Sequence, residues 1–151
     1  MLTELTPEVI DAMLVNQYFG RIACAADGRV LIQPMMYYYD GNVLLGLTRE
    51  GTKTQLLRQN AQVSFEIDEI LSPGVWRSVV IEGVFEELQG DERDYALYLL
   101  KDRKIPVFAG EKLGYPGEVV PKDYPVVYPV VYRIRIQHKT GRCYSHESRD
   151  R

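Results

Sequence analysis

The stretch Thr48-Arg49-Glu50-Gly51-Thr52-Lys53 holds the residue types most able to do chemistry in this chain. It falls between a short apolar run, Val43 to Leu47, and a helical pattern, Gly51 to Asn60, in which Leu56 and Leu57 face inward. A strand-to-helix junction presents free N–H groups and the positive end of the helix dipole. A lysine in the first helical turn meets like partial charge there, and Arg49 adds a second cation. An anion held between them removes the conflict, and phosphate is the usual such anion. Gly51 lets the backbone approach closely, while Thr48 and Thr52 offer hydroxyl donors. The competing reading is a plain solvated turn with Lys53 pointing into water.

Two other segments could bind a flat heterocycle. In Gln33-Pro34-Met35-Met36-Tyr37-Tyr38-Tyr39 a strand ends in soft and aromatic side chains, and its backbone beyond Pro34 could offer edge groups to a ring. The same residues could instead fill a barrel core and a subunit contact. In Trp76-Arg77-Ser78 the indole and hydroxyl share one strand face and the guanidinium takes the other. That trio could bind a polar heterocycle or simply start a strand with a surface ion pair. His138 and His146 stand near the C-terminus, away from these strands. No Ser/His/Asp set, HExxH or Walker lysine motif is present, and Cys24 and Cys143 have no metal-ligand spacing, so no metal is expected. Glu86-Glu87 and Asp91-Glu92 read as solvated faces.

The elements that must position these residues can be traced along the chain. Thr6 caps a first helix with Pro7 at its first position, Leu5 stapled onto Ile10, and Gly20 just past its end. Arg21 to Ala26, the turn Asp27-Gly28, Arg29 to Tyr39, the turn Asp40-Gly41-Asn42 and Val43 to Leu47 read as three antiparallel strands in a meander. Ala61 to Asp68 alternates with Val63, Phe65 and Ile67 inward. A loop with Pro73-Gly74 leads to a long strand, Trp76 to Leu88, where Gly83 marks a bulge or bend. Asp91 caps a third helix to about Arg103. Residues 104 to 129 hold Tyr115-Pro116, Tyr124-Pro125 and Tyr128-Pro129, which prevent a long helix and restrict any strand to an edge. Val130 to Gln137 is a last strand. Residues 1–7 and 143–151 are expected to be loose termini of one domain, 1–151. The expected class is mainly β, a small closed or half-closed antiparallel barrel with small helices.

Composition narrows the function classes. The chain has 151 residues, one domain's worth, long enough to bury a core without staples. Its 18 basic and 21 acidic residues give a net charge of −3, without the basic excess that non-specific nucleic-acid binding needs. No apolar run approaches the roughly 20 residues of a membrane helix, and the first residues lack a signal-peptide pattern. Two cysteines in such a chain point to the reducing cytoplasm. The 11 tyrosines and four methionines include the residue types of buried interfaces, so a homodimer is expected.

The ordered series carries a resemblance. It runs from Gly20-Arg21-Ile22-Ala23 through Asp27-Gly28, Gln33-Pro34 and Tyr39-Asp40-Gly41 to Leu47-Thr48-Arg49-Glu50-Gly51-Thr52-Lys53. It continues with Asn60-Ala61-Gln62-Val63-Ser64-Phe65-Glu66, Trp76-Arg77-Ser78-Val79-Val80-Ile81-Glu82-Gly83, Tyr132-Arg133-Ile134-Arg135-Ile136 and Thr140-Gly141-Arg142. This series resembles the pyridoxamine 5'-phosphate oxidase-like proteins with the FMN-binding split barrel, on the branch near the nitroimidazole-resistance proteins. It covers about residues 8 to 142, most weakly over 90 to 129. The resemblance implies a six-stranded Greek-key barrel that dimerises with FMN in its clefts. Thr48 and Lys53 would hold the phosphate, assisted by Arg49 or Thr52. Pro34, Met35, Met36 and Tyr37 would line the isoalloxazine with backbone groups. Trp76, Arg77 and Ser78 would stand near ring or phosphate, some from the partner subunit. Two departures stand out. The true oxidases carry Ser-Arg-Lys where this chain has Gly51-Thr52-Lys53, and nitroimidazole-resistance proteins carry a histidine where Gly46 aligns. The implied activity is an FMN-dependent oxidoreductase acting on a small molecule. The alternatives are a non-catalytic flavin or haem carrier and a cofactor-free dimeric domain that binds a partner.

Overall fold

The computed structural model describes residues 1–102 and 130–146. In chain order the elements are β1 (Leu2–Glu4), α1 (Pro7–Asn16), β2 (Phe19–Ala26), β3 (Arg29–Met36), β4 (Tyr38–Tyr39), β5 (Val43–Thr48), α2 (Thr52–Gln59), β6 (Gln62–Ser72), β7 (Val75–Glu87), α3 (Gly90–Asp102) and β8 (Val130–Ser145). The eight strands form one antiparallel sheet ordered β3-β2-β6-β7-β8-β5-β4, with β1 added on β8. The β3 and β4 ends of that order are separated in sequence only by Tyr37. Its N–H donates to the Tyr18 carbonyl at 2.9 Å and its hydroxyl to the Leu14 carbonyl at 2.8 Å. A sheet whose opposite edges are one residue apart in the chain must curl, and the result is the expected mainly β barrel with small helices.

Two strands exceed the six expected. The run Arg29 to Tyr39 breaks at Tyr37 into β3 and β4. The N-terminus expected to be loose is also a strand: Leu2, Thr3 and Glu4 pair with Tyr144, Cys143 and Arg142. Those exposed side chains carry no apolar pattern, so the backbone ladder holds them, joined by the Thr3 hydroxyl donating to the Cys143 carbonyl at 3.5 Å. The expected meander is corrected as well. β2 pairs with β3 and β6, while β5 crosses to β8, with Leu44 opposite Ile134 and Thr48 opposite Val130. β5 goes there because both its faces are apolar. Leu44 faces the barrel core, and Leu45 joins Val131 and Leu88 beneath Ala96 of α3.

Local signals elsewhere agree with the structure. The Thr6 hydroxyl accepts from the Val9 N–H with Pro7 following, and Leu5 packs on the core that includes Ile10. Asp27 and Gly28 have φ of 51° and 73°, the pair of positive values a two-residue hairpin turn needs. The ladder between β7 and β8 slips by one residue between Glu82 and Gly83, the expected bulge. Gly20, expected just past α1, lies inside β2 instead. Helix α1 ends at Asn16, and a Cβ at residue 20 would stand 2.4 Å from the Phe65 ring. β8 runs beyond Gln137 to Ser145 through a polar stretch without alternation. There Gly141 leaves room for Leu5 and Ile10, which a Cβ would meet at 2.8–2.9 Å. Both histidines therefore belong to the sheet region: His138 pairs with Glu82, and the His146 N–H donates to the Gly74 carbonyl at 2.9 Å. The expectations for residues 104 to 129 and 147–151 lie outside the described residues.

Candidate functional site

Helix α2 begins where β5 ends, so its N-terminus opens at the rim of the barrel. Gly51 is the N-cap and has no side chain to cap with, so the first N–H groups of α2 have no side-chain capping acceptor among the described residues. The first turn holds no acidic residue. A Cβ at Gly51 would meet nothing within 4 Å, which leaves the approach to those N–H groups open. Thr48 is buried at the end of β5, its hydroxyl donating to the Arg49 carbonyl at 3.3 Å, while Arg49 is exposed and Thr52 half-buried.

Lys53 turns inward. It is 8% exposed, and its Nζ lies 6.0 Å from the centroid of the Tyr132 ring. It forms no ion pair or hydrogen bond with a described residue. Burial pushes its pKa below the ordinary lysine value, and Cys24 opposes that shift. Burial likewise raises the Cys24 thiol against the pull of Lys53. The Tyr132 hydroxyl donates to Met35 Sδ at 3.5 Å, which ties Lys53 of α2 to the interior face of β3 through one aromatic ring. Tyr132 was not singled out in the sequence, where it is one apolar position in an alternating strand. It is fully buried, tilted against Phe85 at 5.2 Å, and fills the space beside Gly46. A Cβ at Gly46 would stand 2.6 Å from both Cζ and Oη of Tyr132, so a histidine at 46 would have to displace that ring.

Along β3 the side chains alternate. Met35 and Tyr37 point into the core, where Tyr37 meets Phe65 edge-on at 5.0 Å, while Pro34 and Met36 are exposed. Among the described residues β3 is a sheet end, paired with β2 on one side only, so backbone groups on its other edge can face a ligand. The structure thus brings Met35, Thr48, Thr52 and Lys53 to one end of the barrel.

Trp76, Arg77 and Ser78 are not brought there within one chain. On β8, Thr48 lies opposite Val130, whereas Ser78 lies opposite Arg142 near the far end. Trp76 stacks on Tyr144 at 5.8 Å and, with Ser78, lines a groove of about 400 Å³ beside Glu66, Asp68, Ile70 and Pro73. Arg21 sits 3.4 Å from both carboxylates of that groove. Burial, reinforced by Asp68, raises the Glu66 pKa. Arg77 takes the opposite face, as strand alternation requires, and is held by Glu69 at 2.5 Å.

Arg58 and Thr54, which fix the junction from behind, have no role in the sequence analysis, and Glu87, expected on a solvated face, is half-buried and paired with Arg58. Arg58 grips Glu50 with two parallel bonds and reaches Glu87 of β7. Thr54, fully buried, accepts the Gly51 N–H at 3.0 Å. The spacing of Glu50 and Arg58 matches no one-turn helical pair, so periodicity does not reveal it.

A barrel closed through one residue, with a buried lysine beneath an uncapped helix, places the chain among split-barrel proteins. It matches the pyridoxamine 5'-phosphate oxidase family model over residues 6–142 and belongs to that family. Among solved structures it is similar to an FAD-binding protein from Mesorhizobium loti, with 27% identity and a TM-score of 0.73, covering 96% of this chain and 99% of the other. It shares a TM-score of 0.70 at 14% identity with a candidate 5-nitroimidazole antibiotic resistance protein from Bacteroides thetaiotaomicron, covering 95% and 88%. That second likeness is one of fold. An uncharacterized protein of Rhizobium meliloti (strain 1021) is 38% identical over 89 residues, 56% of this chain and 59% of the relative.

Proposed function

We propose that the chain binds FMN and works as a flavin-dependent oxidoreductase on a small molecule, as a homodimer in the cytoplasm. Lys53 carries the reading. An ammonium this deeply buried and unpaired among the described residues costs several kcal/mol, and an anion entering the junction offsets that cost. A phosphate monoester suits the place. Lys53 and the α2 N–H groups would hold it, with the Thr48 and Thr52 hydroxyls and Arg49 around it. The unpaired edge of β3 would offer the backbone of Pro34, Met35, Met36 and Tyr37 to the isoalloxazine. Bound flavin supplies the electron chemistry; the chain binds it, orients it and keeps water away. Family membership and the FAD-binding neighbour at 27% identity support flavin as the cofactor class.

The dimer draws support from the outer sheet face. Val30 and Ile32 of β3 are 76% and 68% exposed, and Phe19 lies opposite Met36 in the register with both exposed. Across such a contact Trp76, Arg77 and Ser78 could reach the flavin of the other copy. No described helix is long and apolar enough to cross a membrane, and both cysteines are free, as a reducing compartment would keep them.

Titration of the purified protein with FMN, followed by quenching of flavin fluorescence, tests the reading. Lys53→Ala is expected to weaken FMN by tenfold or more, at about 1.5–3 kcal/mol for a charged hydrogen bond. Unchanged affinity would overturn the assignment. A protein that ignores FMN would be the interaction domain, or a haem carrier if haem gives a Soret band. Flavin turnover with a reductant and an acceptor separates an oxidoreductase from a flavin carrier.

A further inference from the structure

We infer that Arg58 is a positioning residue that holds the Glu50 carboxylate along the side of α2, off the first N–H groups of the helix, and so keeps the phosphate place open; this rests on the phosphate reading above. Glu50 immediately precedes the N-cap Gly51. A carboxylate is itself a favourable occupant of a helix N-terminus, and a tether this short gives it a high effective concentration there. It would compete with any incoming phosphate and repel it.

The structure shows the carboxylate laid along the side of α2 between Thr54 and Arg58, where it accepts no α2 N–H among the described residues. Arg58, two turns along α2, donates from Nη1 to Glu50 Oε2 at 2.7 Å and from Nη2 to Oε1 at 2.6 Å, so both oxygens are engaged by one planar fork. Its Nε donates to Glu87 Oε1 at 2.5 Å, which anchors the fork to β7. The Thr54 hydroxyl lies 3.2 Å from Glu50 Oε2 and accepts the Gly51 N–H, so the loop and the first turn of the helix are fixed together. The Arg58 bonds hold the Glu50 carboxyl below its usual range, so it stays charged and paired. Arg58 and Glu50 are substantially solvent-exposed and Glu87 is half-buried, and exposed pairs such as Arg58–Glu50 add little to stability. The arrangement is better explained by where it puts a negative charge than by what it adds to folding.

The test uses the full chain and two ligands, FMN and riboflavin, which differ by the phosphate. Arg58→Ala is expected to weaken FMN about tenfold while riboflavin affinity stays as in the wild type. Adding Glu50→Gln to that variant is expected to restore FMN binding to within about twofold, because the competing carboxylate is gone. Should Arg58→Ala fail to fold, Arg58→Lys keeps the charge without the fork and should show an intermediate loss. Unchanged FMN affinity, no rescue in the double variant, or an equal loss for riboflavin would each overturn the inference. If Lys53→Ala weakens FMN while Arg58→Ala does not, the phosphate reading stands and this inference falls. A wild-type chain that ignores FMN overturns both.

Discussion

Lys53 sits where two demands oppose each other. Its stem and ammonium are buried against Tyr132, and a cation over an aromatic face recovers only about 0.5–2 kcal/mol of the burial cost. The ligand-free protein should therefore gain from losing the charge. Lys53→Met, similar in length, is expected to raise ligand-free stability by about 1–2 kcal/mol while weakening FMN, read as a higher urea midpoint. The pH dependence has a definite sign. Burial lowers the Lys53 pKa in the fold, so just below the ordinary value of 10.5 the unfolded chain binds more protons. Ligand-free stability should then rise with pH through the folded pKa toward 10.5. Saturating FMN or Lys53→Met should flatten that rise. Sequence alone placed this lysine in the first turn of a helix. It could not show that the side chain turns inward, because Tyr132 and Cys24 come from strands far away along the chain.

Helix α1 is joined to the barrel by a polar latch. The Tyr39 hydroxyl donates to Asp11 Oδ1 at 2.7 Å, and Lys139 Nζ reaches that oxygen at 2.8 Å and the Tyr39 hydroxyl at 2.9 Å. Hydrogen bonds from Lys139 first and Tyr39 second hold the Asp11 carboxyl below its ordinary value of 3.8. Asp11→Ala removes the carboxylate that both donors share, leaving Tyr39 with the Gly41 carbonyl at 3.2 Å and Lys139 with the Tyr39 hydroxyl, and is expected to cost about 1–2 kcal/mol, read as a lower melting temperature. A lowered carboxyl pKa contributes stability above 3.8 that fades as pH falls through the folded value, so wild type and variant should converge in acid. Elements defined by contiguous residues were legible beforehand: the Thr6-Pro7 start of α1, the Asp27-Gly28 turn, the span of α2 and the slip at Gly83. The misread elements depend on distant partners. β8 continues through His138-Lys139-Thr140-Gly141-Arg142 because β7 supplies a ladder, and Gly20 is required by the Phe65 ring rather than by a helix end.

At the scale of the whole molecule, one outer sheet face carries Val30, Ile32, Met36 and Phe19 in the open, and Trp76 of β7 lies opposite Tyr144, at the other end of β8 from the Tyr132 ring under Lys53. A site shared between two copies would use both features. Sedimentation is expected to show a dimer, and Ile32→Lys to shift it toward monomer with weaker FMN binding. A wild-type monomer that binds FMN fully would rule out the shared site.

Sequence alone determined the class of the barrel and placed Lys53 in the first turn of a helix that follows a strand. Hairpin turns, helix caps and the cation beside a glycine are consequences of neighbouring residues. Only the tertiary structure decided which strand edges meet, that Tyr132 lies beneath Lys53, and that Arg58 holds Glu50. All but the eight-residue reach from Glu50 to Arg58 close long loops, and packing and register, rather than any local preference, select the partner that repays the lost chain entropy.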